Sequence, residues 1–258
     1  MKTKNNCQLI GMIHLKRINQ PYNNAETLEQ VYQFALKDLK ALEEGGADAA
    51  IVENFFDLPY SLEIDLETLV AFISIFTRLR EEATIPLGIN LQQTNNNEEI
   101  IMGNLLKADF IRSEAYVEYR VTSSGMLTPQ NDKIEQYRFN SKSNVKVFAD
   151  INVKHSYPLI DVPIVDNILN AIDLGADSIV LTGGKTGSSP QPSDILELSR
   201  QLPEDVSILI GSGIKVNNIS AFKDVINGVI VGSSIKENND LSCHVDVEKV
   251  KQLKAALV

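Results

Sequence analysis

The stretch Ser207-Ile-Leu-Ile-Gly-Ser-Gly-Ile214, followed one short helical pattern later by Gly228-Val-Ile-Val-Gly-Ser-Ser-Ile235, decides the fold. Each half is a brief apolar run, rich in Ile and Val, that stops at Gly-Ser. Runs of this kind suit strands buried on both faces, as in a parallel sheet. A glycine after such a strand permits a sharp turn and offers backbone N–H groups to an anion. Tight βα turns alone would explain either Gly-Ser. Two in tandem, one βα unit apart, point to the loops after the last two strands of a (β/α)8 barrel, where phosphate often binds.

Working outward from this stretch, the same cadence recurs roughly every 40 residues, as in alternating βα units rather than a sandwich. Strands are expected over 8–14, 48–53, 86–91, 108–112, 145–150 and 176–181, with the opening stretch supplying the seventh and eighth. Helices are expected over 25–44, 65–82, 97–107, 162–174, 193–201 and 245–257. The first has Leu28, Val31, Ala35, Leu39 and Leu42 on one face, with Gly45-Gly46 as its stop. Eight strands and at least eight helical segments predict an α/β protein, a (β/α)8 TIM barrel in which residues 1–258 form a single domain. The cadence breaks at 113–142, a long loop after strand 4. Thr122-Ser-Ser-Gly125 and Pro129 mark turns there, and a short helix is expected over 132–137. That loop reads as a lid or substrate loop, or equally as a surface insertion or an oligomer contact.

Composition excludes several classes. The 258 residues carry 24 Lys and Arg against 34 Asp and Glu, a formal charge of -10 spread along the chain. No basic stripe exists to displace counterions, so neither nucleic acid nor an anionic membrane is expected as a partner. Cys7 and Cys243 lie near opposite ends without metal spacing. Reduced thiols and a cytoplasmic location follow as expectations. No apolar run reaches membrane-spanning length. A homo-oligomer remains open.

In a barrel the C-terminal ends of all strands face one mouth, where chemistry in such folds is found. The strand-end residues here are His14, Glu53, Asn90, Arg112, Asp150, Thr182, Gly211 with Ser212, and Gly232 with Ser233. A carboxylate after Ala-Ala-Ile-Val is costly to bury alone, so Glu53 is either a site residue or half of an ion pair, with Arg112 as the partner at hand. In Asp150-Ile-Asn-Val-Lys-His155, strand alternation would turn Asp150, Asn152 and Lys154 the same way, into the mouth if the strand runs that far. A lysine there could neutralise an enolate, form a Schiff base or hold a carboxylate, while Asp150 or His155 moved a proton. His14 suits a catalyst or a hydrogen-bonded scaffold residue. Thr182-Gly-Gly-Lys-Thr-Gly187 lacks the spacing of a Walker loop. Thr182, Gly183 and Gly184 are instead expected to line the anion site, beside Gly211, Ser212, Gly213, Gly232 and Ser233. No motif demands a cofactor. A divalent metal held by His14, Glu53, Asp150 and His155 is chemically open, although nothing in their spacing requires it.

Several strings taken together resemble the BtpA/SgcQ family: Ile10-Gly-Met-Ile-His-Leu15, Glu43-Glu-Gly-Gly-Ala-Asp48 with Val52-Glu-Asn54, Gly88-Ile-Asn90, Phe110-Ile-Arg112, Asp150-Ile-Asn-Val-Lys-His155, Thr182-Gly with Thr186-Gly187, and Val229-Ile-Val-Gly232. The resemblance implies a TIM barrel near the phosphate-binding barrels, in a family known partly for a photosystem I biogenesis factor and partly for proteins associated with sugar metabolism. The chain departs from that pattern at Lys16-Arg-Ile-Asn19, at Gln92-Gln-Thr-Asn95 and at Glu114, all near the expected mouth.

Three functions follow as expectations. The leading one is acid–base chemistry of the isomerase, epimerase or lyase type on a small phosphorylated metabolite such as a sugar phosphate. The strand-seven and strand-eight turns would hold it, and Glu53, Asp150, Lys154, His155 and His14 would face it. The second is a non-catalytic assembly or regulatory factor on a barrel scaffold. The third is a metal-dependent hydrolase or nucleosidase.

Overall fold

A strand with no polar face can lie only between other strands and beneath covering helices. Eight such strands close into a parallel barrel in the computed structural model, which describes residues 7–19, 27–95, 97–183 and 190–257. In chain order the strands are β1 (Gln8–His14), β2 (Ala49–Glu53), β3 (Leu87–Asn90), β4 (Phe110–Ser113), β5 (Arg120–Thr122), β6 (Gly125–Leu127), β7 (Lys146–Ile151), β8 (Tyr157–Pro158), β9 (Ser178–Leu181), β10 (Ile208–Ile210) and β11 (Gly228–Val231). The barrel runs β1-β11-β10-β9-β7-β4-β3-β2 and closes on itself, as the sequence predicts. The remaining three strands form a small antiparallel sheet in the order β6-β5-β8, built from the loops after β4 and β7.

Among the described residues, seven α-helices alternate with the barrel strands: α1 (Leu28–Gly45), α2 (Leu66–Glu82), α3 (Glu98–Leu105), α4 (Asn131–Ser141), α5 (Ile164–Asp173), α6 (Pro192–Gln201) and α7 (Val247–Leu257). Local chemistry sets their ends. Thr27 and Gln30 form a reciprocal capping box at the start of α1, and Gly46, at φ 82°, ends it in the left-handed region. The Asp65 carboxylate caps α2 by accepting the Thr68 N–H at 2.8 Å. Between β10 and β11 the described chain makes only a one-turn 3-10 helix, Ile219–Ala221, so one of the eight expected helical segments is shortened to a single turn. The loop expected to hold Pro21, Asn23 and Asn24 lies outside the described residues.

Alternation along the strands sorts side chains into two compartments. Ile10, Met12, Ala49, Ile51, Phe110, Phe148, Val180, Leu209 and Ile230 point inward and fill the lumen. Their neighbours Leu9, Ile13, Val52, Ile89, Ile111, Val147, Ile179, Ile208 and Val229 point outward into a larger core shared with the helices. Phe110 and Phe148 stack inside the barrel, ring centres 4.4 Å apart. Gly88 leaves that space, since a Cβ there would lie 2.2 Å from the Phe110 ring.

A buried cluster ties the two ends of the chain together. Asp38 of α1 pairs with Lys236, and both side chains are fully buried. The same carboxylate accepts the Val245 N–H at 2.9 Å and meets His244 Nδ1 at 3.0 Å.

Gly88→Ala should overpack the lumen, lowering stability by about 1–3 kcal/mol. Gly88→Ala combined with Phe110→Leu should recover most of that loss. Chemical denaturation of the two variants checks this, and no recovery in the double variant would mean that Gly88 is needed for another reason.

Candidate active site

The inward positions of the strands continue past the apolar lumen into a polar layer. One step of two residues carries Met12 to His14, Ile51 to Glu53, Gly88 to Asn90, Phe110 to Arg112, Phe148 to Asp150, Val180 to Thr182, Leu209 to Gly211 and Ile230 to Gly232. Register keeps the layer level: His14 is the partner of Glu53 across β1 and β2, and Glu53 of Asn90 across β2 and β3. The polar mouth is thus the uppermost tier of the barrel interior.

A cavity of about 390 Å³ opens above this tier. Of the residues singled out in the sequence, His14, Glu53, Arg112, Lys154, His155, Gly211, Ser212, Gly213, Gly232 and Ser233 line it. Asn90, Asp150, Thr182 and Gly183 do not. Asn90 is fully buried and donates from Nδ2 to the Arg112 carbonyl at 3.2 Å. Gly183 donates its N–H to Ser212 Oγ at 3.2 Å, behind the wall. Gly184, with the rest of the glycine-rich loop up to 189, lies outside the described residues.

Arg112 pairs with Asp150, not with Glu53. Nε and one terminal nitrogen of the guanidinium donate to the two carboxylate oxygens at 2.7 and 3.0 Å, a bidentate bond closed off from solvent. Burial works against the arginine's charge, but the Asp150 carboxylate outweighs it and holds the pKa above the ordinary value. Glu53 takes a different set of partners: Gln92 Nε2 donates to Oε1, and His14 Nε2 lies 3.4 Å from Oε2. Burial raises the Glu53 pKa, opposed by the positive charge of Arg112. Burial also lowers the His14 pKa well below its usual value, reinforced by Lys236, Lys154 and Arg112, so the imidazole is neutral. Its Nδ1 is buried and has no hydrogen-bond partner among the described residues.

The alternation expected through Asp150, Asn152 and Lys154 fails for a structural reason. Strand β7 stops at Ile151, and Asn152 turns into the left-handed region at φ 56°. Asn152 is consequently exposed, while Lys154 is half-buried and reaches the cavity from a loop. His155, at φ 62°, follows on the exposed side of that loop and still borders the cavity. The loop is held from the hairpin by Arg120, which donates to Asn152 Oδ1 at 2.9 Å, Ser156 Oγ at 2.8 Å, the Ser156 carbonyl at 3.1 Å and the Val153 carbonyl at 3.4 Å. Glu118 completes the clamp by accepting the Asn152 N–H at 2.8 Å and Asn167 Nδ2 at 3.0 Å.

Glycines shape the opposite wall. A Cβ on Gly232 would sit 2.8 Å from His14 Cε1, and one on Gly211 would meet Thr182 Cγ2 at 2.8 Å. Gly213 has φ 74°, a conformation glycine adopts without strain. Gly232 leads into a one-turn 3-10 helix, Ser233–Ile235, whose first amides have no acceptor within the turn.

Sequence reasoning marks Glu114 only as a departure near the mouth and gives it no role. Glu114 lines the cavity two residues beyond Arg112, on the same alternation, which was the signal available to find it. Burial and the neighbouring Asp150 push its pKa to about 7, and the Gln93 N–H donates to its Oε2 at 3.1 Å. Gln92, Gln93 and Lys215 join it, and the hairpin of β5 and β6 contributes Thr122, Ser123 and Leu127. The segment 113–142 therefore reaches the cavity directly. Among the described residues, no group of three His, Cys, Asp or Glu side chains is arranged to hold a metal ion, and the constellation of His14, Glu53, Asp150 and His155 does not form one. No described helix is long and apolar enough to cross a membrane.

A closed parallel barrel with a polar mouth flanked by two glycine turns places this protein among the TIM barrels. The chain belongs to the BtpA family, which it matches over residues 5–257. An uncharacterised protein of Methanocaldococcus jannaschii is 32% identical over 246 residues, covering 95% of this chain and 93% of that protein. The photosystem I biogenesis protein BtpA of Synechocystis is 32% identical over 244 residues, covering 94% of this chain and 85% of that one. Among solved structures, thiamine phosphate pyrophosphorylase from Pyrococcus furiosus superposes with a TM-score of 0.59 at 12% identity, covering 98% of this chain and 96% of its own. N-(5'-phosphoribosyl)anthranilate isomerase from the same organism does so with 0.57 at 14%, covering 97% and 98%. At such identities the likeness concerns the fold.

The folded pKa of Glu114 lies above the 4.5 of an ordinary glutamate. The native chain therefore holds an extra proton between about pH 4.5 and 7, and this residue's contribution to stability falls as pH rises through that window. In Glu114→Gln the melting temperature should decline less steeply across that range than in the unaltered protein. Calorimetry at several pH values reads this directly, and equal slopes would remove Glu114 from the titration.

Proposed function

We propose that this barrel is an enzyme acting on a small phosphorylated metabolite by acid–base chemistry of the isomerase, epimerase or lyase type. The observation that carries the reading is the division of one cavity into two unlike walls. Gly211–Gly213 and Gly232–Ser233 present a glycine-rich wall whose turns line the cavity, suited to a phosphate. Around the same mouth stand a neutral imidazole, packed against Gly232, two carboxyls raised by burial and a lysine lowered by burial. Groups shifted toward neutrality from both sides are those that exchange protons near pH 7. A phosphate held at one wall would supply binding energy remote from the reacting centre and so orient the substrate against the other. Both structural neighbours carry a phosphate in their names; for this chain the phosphate reading rests on the turns.

In this arrangement Glu53 and His14, 3.4 Å apart, would work as a pair, and Glu114 would serve as the acid or base closest in pKa to neutral pH. Asp150, locked to Arg112, would hold that guanidinium in place rather than carry a proton. Chemistry of this kind calls for no cofactor.

The name of the Synechocystis relative favours a second reading, an assembly factor on a barrel scaffold. A thermal-shift series with inorganic phosphate and sugar phosphates separates the two. A ligand at a hundredfold excess over its dissociation constant adds about 2.7 kcal/mol of stability. Such stabilisation is expected for the unaltered chain and should be lost in Gly213→Val, where a branched side chain must adopt the left-handed region. If no phosphate ester stabilises the protein, or Gly213→Val binds as well as the native chain, the anchor is wrong. Loss of cellular function in a folded Glu53→Gln variant would speak for catalysis, and indifference there for the scaffold.

A further inference from the structure

We propose that Lys154 is a nucleophile that forms a Schiff base with an aldehyde or ketone substrate in the barrel mouth. The inference rests on the enzymatic reading above and narrows it to carbonyl compounds.

The structure treats Lys154 differently from the buried cations around it. Arg112 is locked to Asp150, Lys236 to Asp38, and Arg120 to Glu118 and the loop carbonyls. Lys154 lines the same cavity, half-buried, and makes no hydrogen bond or ion pair among the described residues. The carboxylates of Glu53, Asp150 and Glu114 act on it through space, favouring its charged form, but none bonds to it. Its loop is also unusually restrained. Asn152 and His155 on either side both have positive φ, at 56° and 62°, and the Arg120 side chain fastens Asn152, Val153 and Ser156. Non-glycine residues persist in that region where the surroundings over-determine them, which is common at functional sites. The ammonium is thereby aimed into the cavity by a fixed frame.

Two nearby features suit amine chemistry. Burial, followed by the positive charge of Arg112, lowers the Lys154 pKa, which favours the free amine. Glu114, with a pKa of about 7, lines the same cavity and can deliver a proton. The step balances without any further reactant. The Nζ lone pair attacks the carbonyl carbon and forms a C–N bond, and the carbonyl oxygen takes up a proton. The resulting carbinolamine loses its hydroxyl as water on protonation by the Glu114 carboxyl, while nitrogen gives up its hydrogen. Amine plus carbonyl yields imine plus water.

Reductive trapping tests this. The full-length protein is incubated near pH 7 with glyceraldehyde 3-phosphate or dihydroxyacetone phosphate and sodium borohydride, which transfers hydride to the imine carbon and leaves a stable secondary amine. An ordinary lysine with a pKa of about 10.4 is unprotonated in only about one molecule in 2,500 at pH 7. Peptide mapping should therefore find Lys154 labelled at least about tenfold above any other lysine, Lys215 at the cavity rim included. Lys154→Arg keeps a positive charge and should abolish the mass increase, whereas a charge-binding role would survive it. Labelling spread over many lysines, labelling centred on Lys215, or no labelling of Lys154 would each overturn the proposal. Thermal shifts with inorganic phosphate on the same sample tell the failures apart: stabilisation without trapping leaves the anchor standing and removes only the imine.

Discussion

A closed ring of eight parallel strands leaves room inside for only a few side chains in each layer, and this shortage of space governs everything above it. The lower tiers are filled by Ile, Leu, Val, Ala, Met12 and the stacked pair Phe110 and Phe148, with Gly88 conceding the volume one ring requires. Once the lumen is full, the next inward position of every strand must be polar or absent, because it opens toward water. The mouth owes its composition to this geometry: acids and bases on β1, β2, β4 and β7, and glycines on β10 and β11. The buried Arg112 and Asp150 pair marks the boundary between tiers. Neither charge could be left there alone, since removing one partner of such a pair commonly costs about 3–5 kcal/mol.

The fold was legible because the barrel strands are short, apolar on both faces and closed by recognisable stops. Gln8–His14 could be read to the residue and the other barrel strands to within about two positions, whereas the short strands β5, β6 and β8 were not expected. The same arithmetic of two located His14, Glu53 and Arg112 at the mouth, and the two Gly-Ser turns with them. Where it misled, the chain had left the strand. Lys154 reaches the cavity by a left-handed turn at Asn152, not by alternation, and no periodicity announces such a turn. Partnering was equally hidden. That Arg112 chooses Asp150 over Glu53 depends on how the neighbouring strands stagger, which one chain of letters does not carry. Glu114 was noted near the mouth but given no role because it stands just past a strand end, although it continues the line from Phe110 through Arg112.

The small sheet of β5, β6 and β8 gives the long segment after β4 a definite place. Its strands come from two different βα loops, and Arg120 and Glu118 bind the second loop through its backbone rather than through side chains alone. Backbone contacts of that kind tolerate changes in the sequence of the loop they hold while keeping its path. The frame around the mouth is thus more constrained than the residues that decorate it. The chain's departures at Gln92, Gln93 and Glu114 fall among the decorations.

The Asp38 cluster carries a consequence of its own. Lys236 follows directly on the Ser233–Ile235 turn, and its partner Asp38 belongs to the first helix, 198 residues away in the chain. One wall of the mouth is therefore moored to the opposite end of the polypeptide, like a belt buckled over its own beginning. Slack in that buckle would loosen the barrel seam and the Ser233 turn together. The path of the Ser233 turn is thus set from both ends of the chain, by the strand that leads into it and by the first helix that holds Lys236.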